Sequence, residues 1–441
     1  SMLQDVEAGK PLEIDALVGA VHELGQITHT PTPHTDALLG LVAAAEQSLP
    51  DLASRQQAID SRYRTTVAAL LKQQKRAIEI LDIFTADMAD LGGLLHSISL
   101  VRQAGERSRD LVAGYGELWS SRLLAAYLTE RAQTESHDRP VKWVDARDLI
   151  VVERGEMGPA VQWDESRARA RRHFSADTRG IAVITGFIAA EPDGLFCTLG
   201  RNGSDFSASI VGALVDAEKI TIWTDVDGVM SADPNRVPEA TIISSLSYNE
   251  AMELAYFGAK VIHPQTMAPA VQRSIPIWIR NTFNPAATGS LIGPGTSAQQ
   301  PIKGITSVDD VALVNIEGAG MIGVPGTANR LFGVLREASI SVILISQASS
   351  EHSICIGVPS RMAEQAEKVV RRAFAVELDQ GMIQSVSIKK PCSIIAVVGD
   401  GMAGIPGVAG RFLSTLGAAG INVMAIAQGS SERNISAVVA R

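Results

Sequence analysis

The sequence predicts an α/β fold followed by a duplicated βαββ tail, and three observations carry that prediction. The apolar run from Leu195 to Leu199 ends in Gly200-Arg201-Asn202-Gly203-Ser204-Asp205 and opens a small, apolar helical stretch from Phe206 to Val215. That order of strand, glycine turn and helix brings backbone N–H groups and the positive end of a helix dipole to one point. The run from Ile220 to Trp223 ends in Thr224-Asp225-Val226-Asp227-Gly228, a second strand end with two acids and a glycine turn. Strand ends of this kind, side by side, are where α/β sheets receive anionic ligands, so the pair predicts the phosphate site of a nucleotide. Third, the tail repeats itself: Gly320-Met321-Ile322-Gly323-Val324-Pro325-Gly326 matches Gly401-Met402-Ala403-Gly404-Ile405-Pro406-Gly407. Gln347-Ala348-Ser349-Ser350-Glu351 matches Gln428-Gly429-Ser430-Ser431-Glu432 at the same offset of 81 residues. Each copy reads strand, glycine turn, helix, strand, turn, strand.

Composition narrows the function classes. At 441 residues with 46% apolar content, the chain has core enough for two to four domains. A net charge of −9 argues against a nucleic-acid or acidic-membrane surface. Cys197, Cys355 and Cys392 lie in or beside apolar runs without metal-ligand spacing and read as reduced core residues. No run is long enough to span a membrane and no signal peptide is visible, which reads as a cytoplasmic enzyme. A start at Ser1 reads as a fragment.

Residues 1–51 read as a short all-helical segment. Its opening, Ser1 to Asp15, leads into a helical pattern through Leu24, then Pro31-Thr32-Pro33-His34 and another helix. This resembles the C-terminal helical domain of ketopantoate reductase, whose pocket-lining serine and glutamate would fall at Ser1 and Glu13. No Rossmann glycine fingerprint or catalytic lysine accompanies them, so the segment reads as a helical remnant without chemistry. Leu52 to Leu128 is helical and contains Gly116-Glu117-Leu118-Trp119-Ser120-Ser121. Arg131 to Arg139 reads as a loop, Val141 to Val152 as a strand with a turn at Asp145-Ala146-Arg147, and Glu153 to His173 as a charged loop. The strand Ile181 to Ile188 holds Gly186, where a ligand or backbone could approach closely. Gly289 to Gln300, rich in Gly, Pro and Ser, reads as a domain linker.

The string Gly200-Arg201-Asn202-Gly203-Ser204-Asp205, followed by Trp223-Thr224-Asp225-Val226-Asp227-Gly228-Val229, resembles aspartate kinase. A third motif agrees: Tyr256-Phe257-Gly258-Ala259-Lys260-Val261-Ile262-His263-Pro264, behind a helix that opens with a capping box at Ser247 and Glu250. The resemblance runs from about Ser97 to Arg441. It implies the three-layer αβα amino-acid kinase fold over residues 52–297 and two ferredoxin-like ACT units over 298–441. It also implies roles. Arg201 would grip the substrate α-carboxylate, Glu117 would read its ammonium group, and Ser204 would assist. Asp205 would lie near nucleotide and metal, Thr224 and Asp225 would hold ATP, and Lys260 would reach its phosphates or adenine side. Met230 stands where the family often has tyrosine. Mg²⁺ would be carried mainly by the phosphates. Asp227 and Asp233 read as turn residues.

Phosphorylating a carboxylate needs no strong general base, because the nucleophile is already an anion. The protein must instead position two anions and neutralise charge on the transferred group. The family's opening Lys-Phe-Gly-Gly-Thr-Ser strand has no counterpart in these residues, which predicts binding with poor turnover. The tail resembles the kinase half of bifunctional aspartate kinase–homoserine dehydrogenases. That implies threonine as effector, read by Gln347 and Gln428, with lysine as the alternative. It implies a dehydrogenase domain beyond Arg441 and pairing of ACT units into a dimer or larger. The second ACT unit is expected to lack its closing helix and strand. The competing reading is a non-catalytic amino-acid sensor with a scaffold kinase domain; an oxidoreductase reading would require NADPH binding.

Overall fold

The computed structural model describes residues 35–47, 52–134, 139–155, 158–175, 179–200, 202–256, 263–295, 300–347 and 352–440. The chain falls into two compact units, residues 1–227 with 265–287 and residues 228–264 with 288–441.

The described part of the first unit opens with four helices: α1 (Thr35–Glu46), α2 (Leu52–Leu70), α3 (Gln74–Val101) and α4 (Glu106–Thr134). Their apolar faces share one buried cluster that includes Leu38 and Leu41, Val67, Phe84 and Leu91, and Val112 and Leu118. Tyr63 stacks on Phe84 at 4.2 Å between ring centroids, and Phe84 meets Trp119 edge-on at 4.7 Å. The Tyr63 hydroxyl donates to the Trp119 carbonyl, so the buried ring leaves no polar atom stranded. Helices α1 and α2, on either side of residue 51, both contribute to this cluster. The predicted helix over 52–128 is interrupted at 71–73 and at Arg102, which takes the left-handed conformation (φ 53°). Glu130 of α4 caps α3 from the side, accepting from Lys72 N at 2.8 Å and Gln73 N at 3.1 Å.

Strand β1 (Val141–Val144), hairpin strands β2 (Val152–Gly155) and β3 (Gly158–Val161), and helix α5 (Trp163–His173) follow. The charged segment 153–173, predicted as a loop, is thus half hairpin and half helix. Its helix has Asp164 and Glu165 in the first turn and Arg171, Arg172 and His173 in the last, complementing the helix dipole. Only Ser166 and Ala170 are buried, so no apolar period announced it. β4 (Ile181–Ile184) runs parallel to β1, with Val141 opposite Ile181 and Val144 opposite Ile184. The strand predicted through residue 188 breaks at 185–187, and β5 (Ile188–Ala190) pairs instead with β6 (Phe196–Thr198). Then come α6 (Gly203–Leu214), β7 (Ile220–Thr224), α8 (Pro264–Gln272) and β9 (Ile277–Asn281), with β7 and β9 parallel.

The second unit contains β8 (Ser245–Ser247), which runs parallel to β10 (Ser290–Gly293), and α7 (Tyr248–Tyr256). The capping box is present: Ser247 N donates to Glu250 Oε2 and Glu250 N to Ser247 Oγ, at 2.9 and 3.0 Å. The predicted linker is part strand, β10 pairing with β8, and its buried Ser290 Oγ accepts from Val229 N at 2.8 Å.

A six-stranded antiparallel sheet completes the unit, in the order β12-β13-β11-β14-β16-β15. Its long central strands β11 (Gly304–Glu317) and β14 (Ser385–Val398) serve both repeats, divided by a bulge near Asp310 (φ 54°). The first copy uses 311–317 of β11, α9 (Thr327–Glu337), β12 (Leu344–Gln347), β13 (Ser353–Pro359), α10 (Ala363–Ala373) and, after the short α11 (Ala375–Asp379), residues 385–389 of β14. The second uses 392–398 of β14, α12 (Val408–Ala418), β15 (Val423–Gln428) and β16 (Asn434–Ala440). The closing strand expected to be lacking has a substitute. Residues 304–308 of β11 lie beside β14 there, and they sit 81 positions before 385–389, which close the first copy. Helix α10 packs on β11 and β14 in the first copy, and α7 packs on the same two strands, its Leu254 against Gly304.

Candidate functional site

Helix α4 carries Gly114, Glu117 and Ser121 at i, i+3 and i+7, one face of the helix. Gly114 lets α4 approach β6, since a Cβ there would lie 2.0 Å from the Phe196 ring. Ser121 Oγ accepts from Trp143 Nε1 at 3.0 Å and donates to Thr185 Oγ1 at 3.4 Å, tying α4 to the ends of β1 and β4. Between these anchors Glu117 is buried, and its Oε1 has no hydrogen-bond partner. Burial pushes the carboxyl up to about 7, partly offset by a hydrogen bond with Ser204. A buried carboxylate oxygen without a donor is costly, and the cost falls when a cationic donor arrives.

Ser204 and Asp205 stand in the first turn of α6. The turn before it holds Gly200 at φ 76° and Asn202 at φ 55°. Gly186 is the close approach predicted from the sequence: a Cβ there would sit 3.1 Å from Ser204 Oγ. Phe187 beside it is a non-glycine residue at φ 66°, held by Ser207, whose Oγ accepts from Phe187 N at 2.9 Å. Strain of this sort persists where surrounding structure enforces it, commonly at binding sites. Burial alone pushes the Asp205 carboxyl up to about 6. Arg201 and Lys260 lie outside the described residues, as do Ser1 and Glu13.

At the ends of the parallel strands β7 and β9, Thr224 pairs with Asn281. Thr224 Oγ1 donates to Asp225 Oδ1 at 3.0 Å, and the Thr224 carbonyl accepts from Thr282 N. Asn281, missed by sequence reading, donates to Asp227 Oδ1 at 2.7 Å, and Asn284 donates to the same carboxylate. Asp227 is therefore a fixed member of the strand-end turn. No sequence signal marks Asn281; only the parallel pairing of β7 with β9 brings it beside Thr224. Asp233 accepts from Asn235 N in an Asx turn. Met230 belongs to the second unit, where it bridges to Ile242.

In the tail, Gln347 ends β12 and lines a cleft of about 280 Å³ with Met321, Val324, Gly326, Thr327 and Ile354. Gly326, at φ 92°, turns the chain into the N-terminus of α9. Gln428 ends β15, and Gly407 at φ 89° plays the same part before α12. Cys197 and Cys392 are buried and Cys355 half-buried, all as free thiols. No helix among the described residues is long and apolar enough to cross a membrane.

The described site is thus a buried carboxyl with an unpartnered oxygen beside a glycine turn and a helix N-terminus. Comparison with known proteins makes this specific. The amino acid kinase family profile matches residues 38–281, the ACT domain profile matches 314–374 and 395–441, and the ketopantoate reductase C-terminal profile matches 1–46. The aspartokinase of Schizosaccharomyces pombe is 30% identical, with 82% of this chain aligned to 72% of that protein. A chloroplastic bifunctional aspartokinase/homoserine dehydrogenase 2 of Arabidopsis thaliana is 41% identical over 92% of this chain and 44% of its own length. The Haemophilus influenzae bifunctional enzyme is 43% identical over 81% of this chain and 43% of its own. The chain thus spans less than half the length of these bifunctional relatives. Escherichia coli aspartokinase III, solved with aspartate and ADP, shares the fold at a TM-score of 0.73 and 24% identity, covering 91% of this chain and 87% of that one. Clostridium acetobutylicum aspartate kinase superposes with the same TM-score at 25% identity, covering 92% of this chain and 85% of that one. The chain belongs to the aspartokinases of the amino acid kinase family.

Proposed function

We propose that the chain is the kinase part of a threonine-regulated aspartate kinase, transferring the γ-phosphoryl group of ATP to the side-chain carboxylate of L-aspartate. The observation that carries this is Glu117: a buried carboxylate whose Oε1 lacks a donor, beside Ser204 and the N-terminus of α6. An α-ammonium group supplies the missing donors and holds Glu117 ionised. The glycine turn and the first N–H groups of α6 accept the anionic end of a ligand. In the role its motif implies, Arg201 grips the α-carboxylate, which leaves the side-chain carboxylate as nucleophile.

Thr224 and Asp225, at the end of β7, would hold ATP; Met230 and Lys260 are the further nucleotide residues that the motifs imply. The buried Asp205 carboxyl, raised by burial alone, suits a cation, and Mg²⁺ would be held there and by the phosphates, neutralising charge on the transferred group. Threonine would occupy the cleft at Gln347 and its counterpart at Gln428, with lysine as the other candidate. A homoserine dehydrogenase partner domain, pairing through ACT units and a cytoplasmic setting belong to the same reading. The test is aspartate- and ATP-dependent ADP release, with the acyl phosphate trapped as a hydroxamate, titrated with threonine and with lysine. The Lys-Phe-Gly-Gly-Thr-Ser string is not among these 441 residues, and the assay reads how far turnover of this stretch alone is reduced. Nucleotide-independent effector binding with no ATP binding would support the sensor reading instead.

A further inference from the structure

The two glycine turns of the tail are alike in sequence and backbone, but they differ in what satisfies the N–H that opens each. In the first copy, Ala319 N donates to Gln384 Oε1 at 3.1 Å, and Gln384 leads into the strand that closes that same copy. The residue 81 positions before Gln384 is Lys303, whose side chain carries only donors. The second copy therefore needs an acceptor from elsewhere. Asp400, the counterpart of Ala319, donates its N–H to Glu250 Oε1 at 2.8 Å.

Glu250 is 1% exposed, and its other oxygen accepts from Ser247 N at the start of α7. One buried carboxylate thus joins a helix cap to the second copy's turn. One helical turn on, Glu253 Oε2 accepts from Asn434 Nδ2 of β16 at 2.7 Å. Leu254 packs where a Cβ on Gly304 would lie 2.9 Å away. Asp400 is itself ion-paired with Arg433 at 2.9 Å, next to Asn434. Helix α7 is therefore built into the second copy, and its chain continues directly into the segment 257–262 that carries Lys260.

We propose that Glu250 is a positioning residue that couples the second copy's turn, and whatever amino acid binds there, to helix α7. This rests on reading the chain as an effector-regulated kinase. A ligand that re-aims the 401–407 turn displaces the Asp400 N–H. The carboxylate follows, because either N–H would otherwise lose its acceptor. Among the described residues, the N–H that opens the first copy's turn ends within its own copy, so the second copy's turn is the proposed entry for effector signals reaching α7.

The experiment is hydrogen exchange of the 248–256 amides in the full chain, with and without saturating L-threonine, then L-lysine. The wild type is compared with Glu250→Gln, Glu253→Ala and Gln384→Met. Coupling of ordinary strength predicts that the effective amino acid changes exchange in 248–256 by about five-fold or more in the wild type and in Gln384→Met. The response should vanish in Glu250→Gln and shrink in Glu253→Ala, the milder break that serves if Glu250→Gln does not fold. An unchanged response in both glutamate variants, equal loss in Gln384→Met, or no response in the wild type overturns the proposal. Aspartate-dependent ADP release is scored separately: a wild type without it but with the exchange pattern keeps the coupling and loses the kinase reading.

Discussion

Glu117 and Glu250 are both buried glutamates on helices, and they are used in opposite ways. Glu250 spends its two oxygens on two backbone N–H groups, one at its own helix cap and one on a distant turn. Glu117 has a hydroxyl from Ser204 and an oxygen with nothing to accept from. The first arrangement satisfies its charge within the fold and so works as a joint. The second leaves charge waiting for a donor, which is what a site for an ammonium group requires. A buried acid is thus read by its remaining hydrogen-bonding capacity, not by its burial.

The sharpest way to break this contrast is to neutralise each residue in turn. Glu117→Gln should lower kcat/KM for aspartate by about 10²–10³-fold, the usual consequence of removing one partner of a buried charge pair. Steady-state ADP release measures it, and a loss under ten-fold would place the ammonium contact elsewhere.

The next effect is on stability. Glu117's carboxyl is raised in the folded chain from an ordinary 4.5 to about 7. Its neutral form is therefore favoured by folding. The contribution is full below about pH 4.5 and is lost as pH rises through 7. A shift of that size corresponds to about 3 kcal/mol for so buried a group. Ligand-free protein should unfold at a lower temperature at pH 8 than at pH 5.5, and Glu117→Gln should flatten that difference. Calorimetry of both proteins across the range is the check.

The smallest effect expected is at the joint. Glu250→Ala leaves Asp400 N and Ser247 N without their acceptor and should destabilise the second unit by about 1–3 kcal/mol. Denaturant unfolding should show it. An unfolding midpoint at the wild-type value would mean that water replaces the carboxylate at no cost.

The sequence made the glycine turn at 200–205, the strand end at 224–228, the capping box and the 81-residue repeat readable, because each is a local pattern with its own physical cause. Gly186 was legible for the same reason: a glycine inside a strand marks a close approach, and Ser204 is what approaches. Other features depended on distance. The substitute closing strand at 304–308 precedes the copy it completes, so a reading in chain order assigns it to the linker side. Helix α5 was hidden by its charge, since only Ser166 and Ala170 face inward. Strand β10 was hidden by its glycine-rich flanks. Asn281 carries no motif of its own, and only the parallel pairing of β7 with β9 sets it opposite Thr224.

The account turns on Glu117 meeting an ammonium group, and proton release reports that event most directly. L-Aspartate should be titrated calorimetrically at pH 7 in buffers of different ionisation enthalpy. With a carboxyl near 7, binding that holds Glu117 ionised should release about half a proton per aspartate, and Glu117→Gln should release none. Aspartate binding with no proton release in the wild type, or with the same release in Glu117→Gln, would contradict the account.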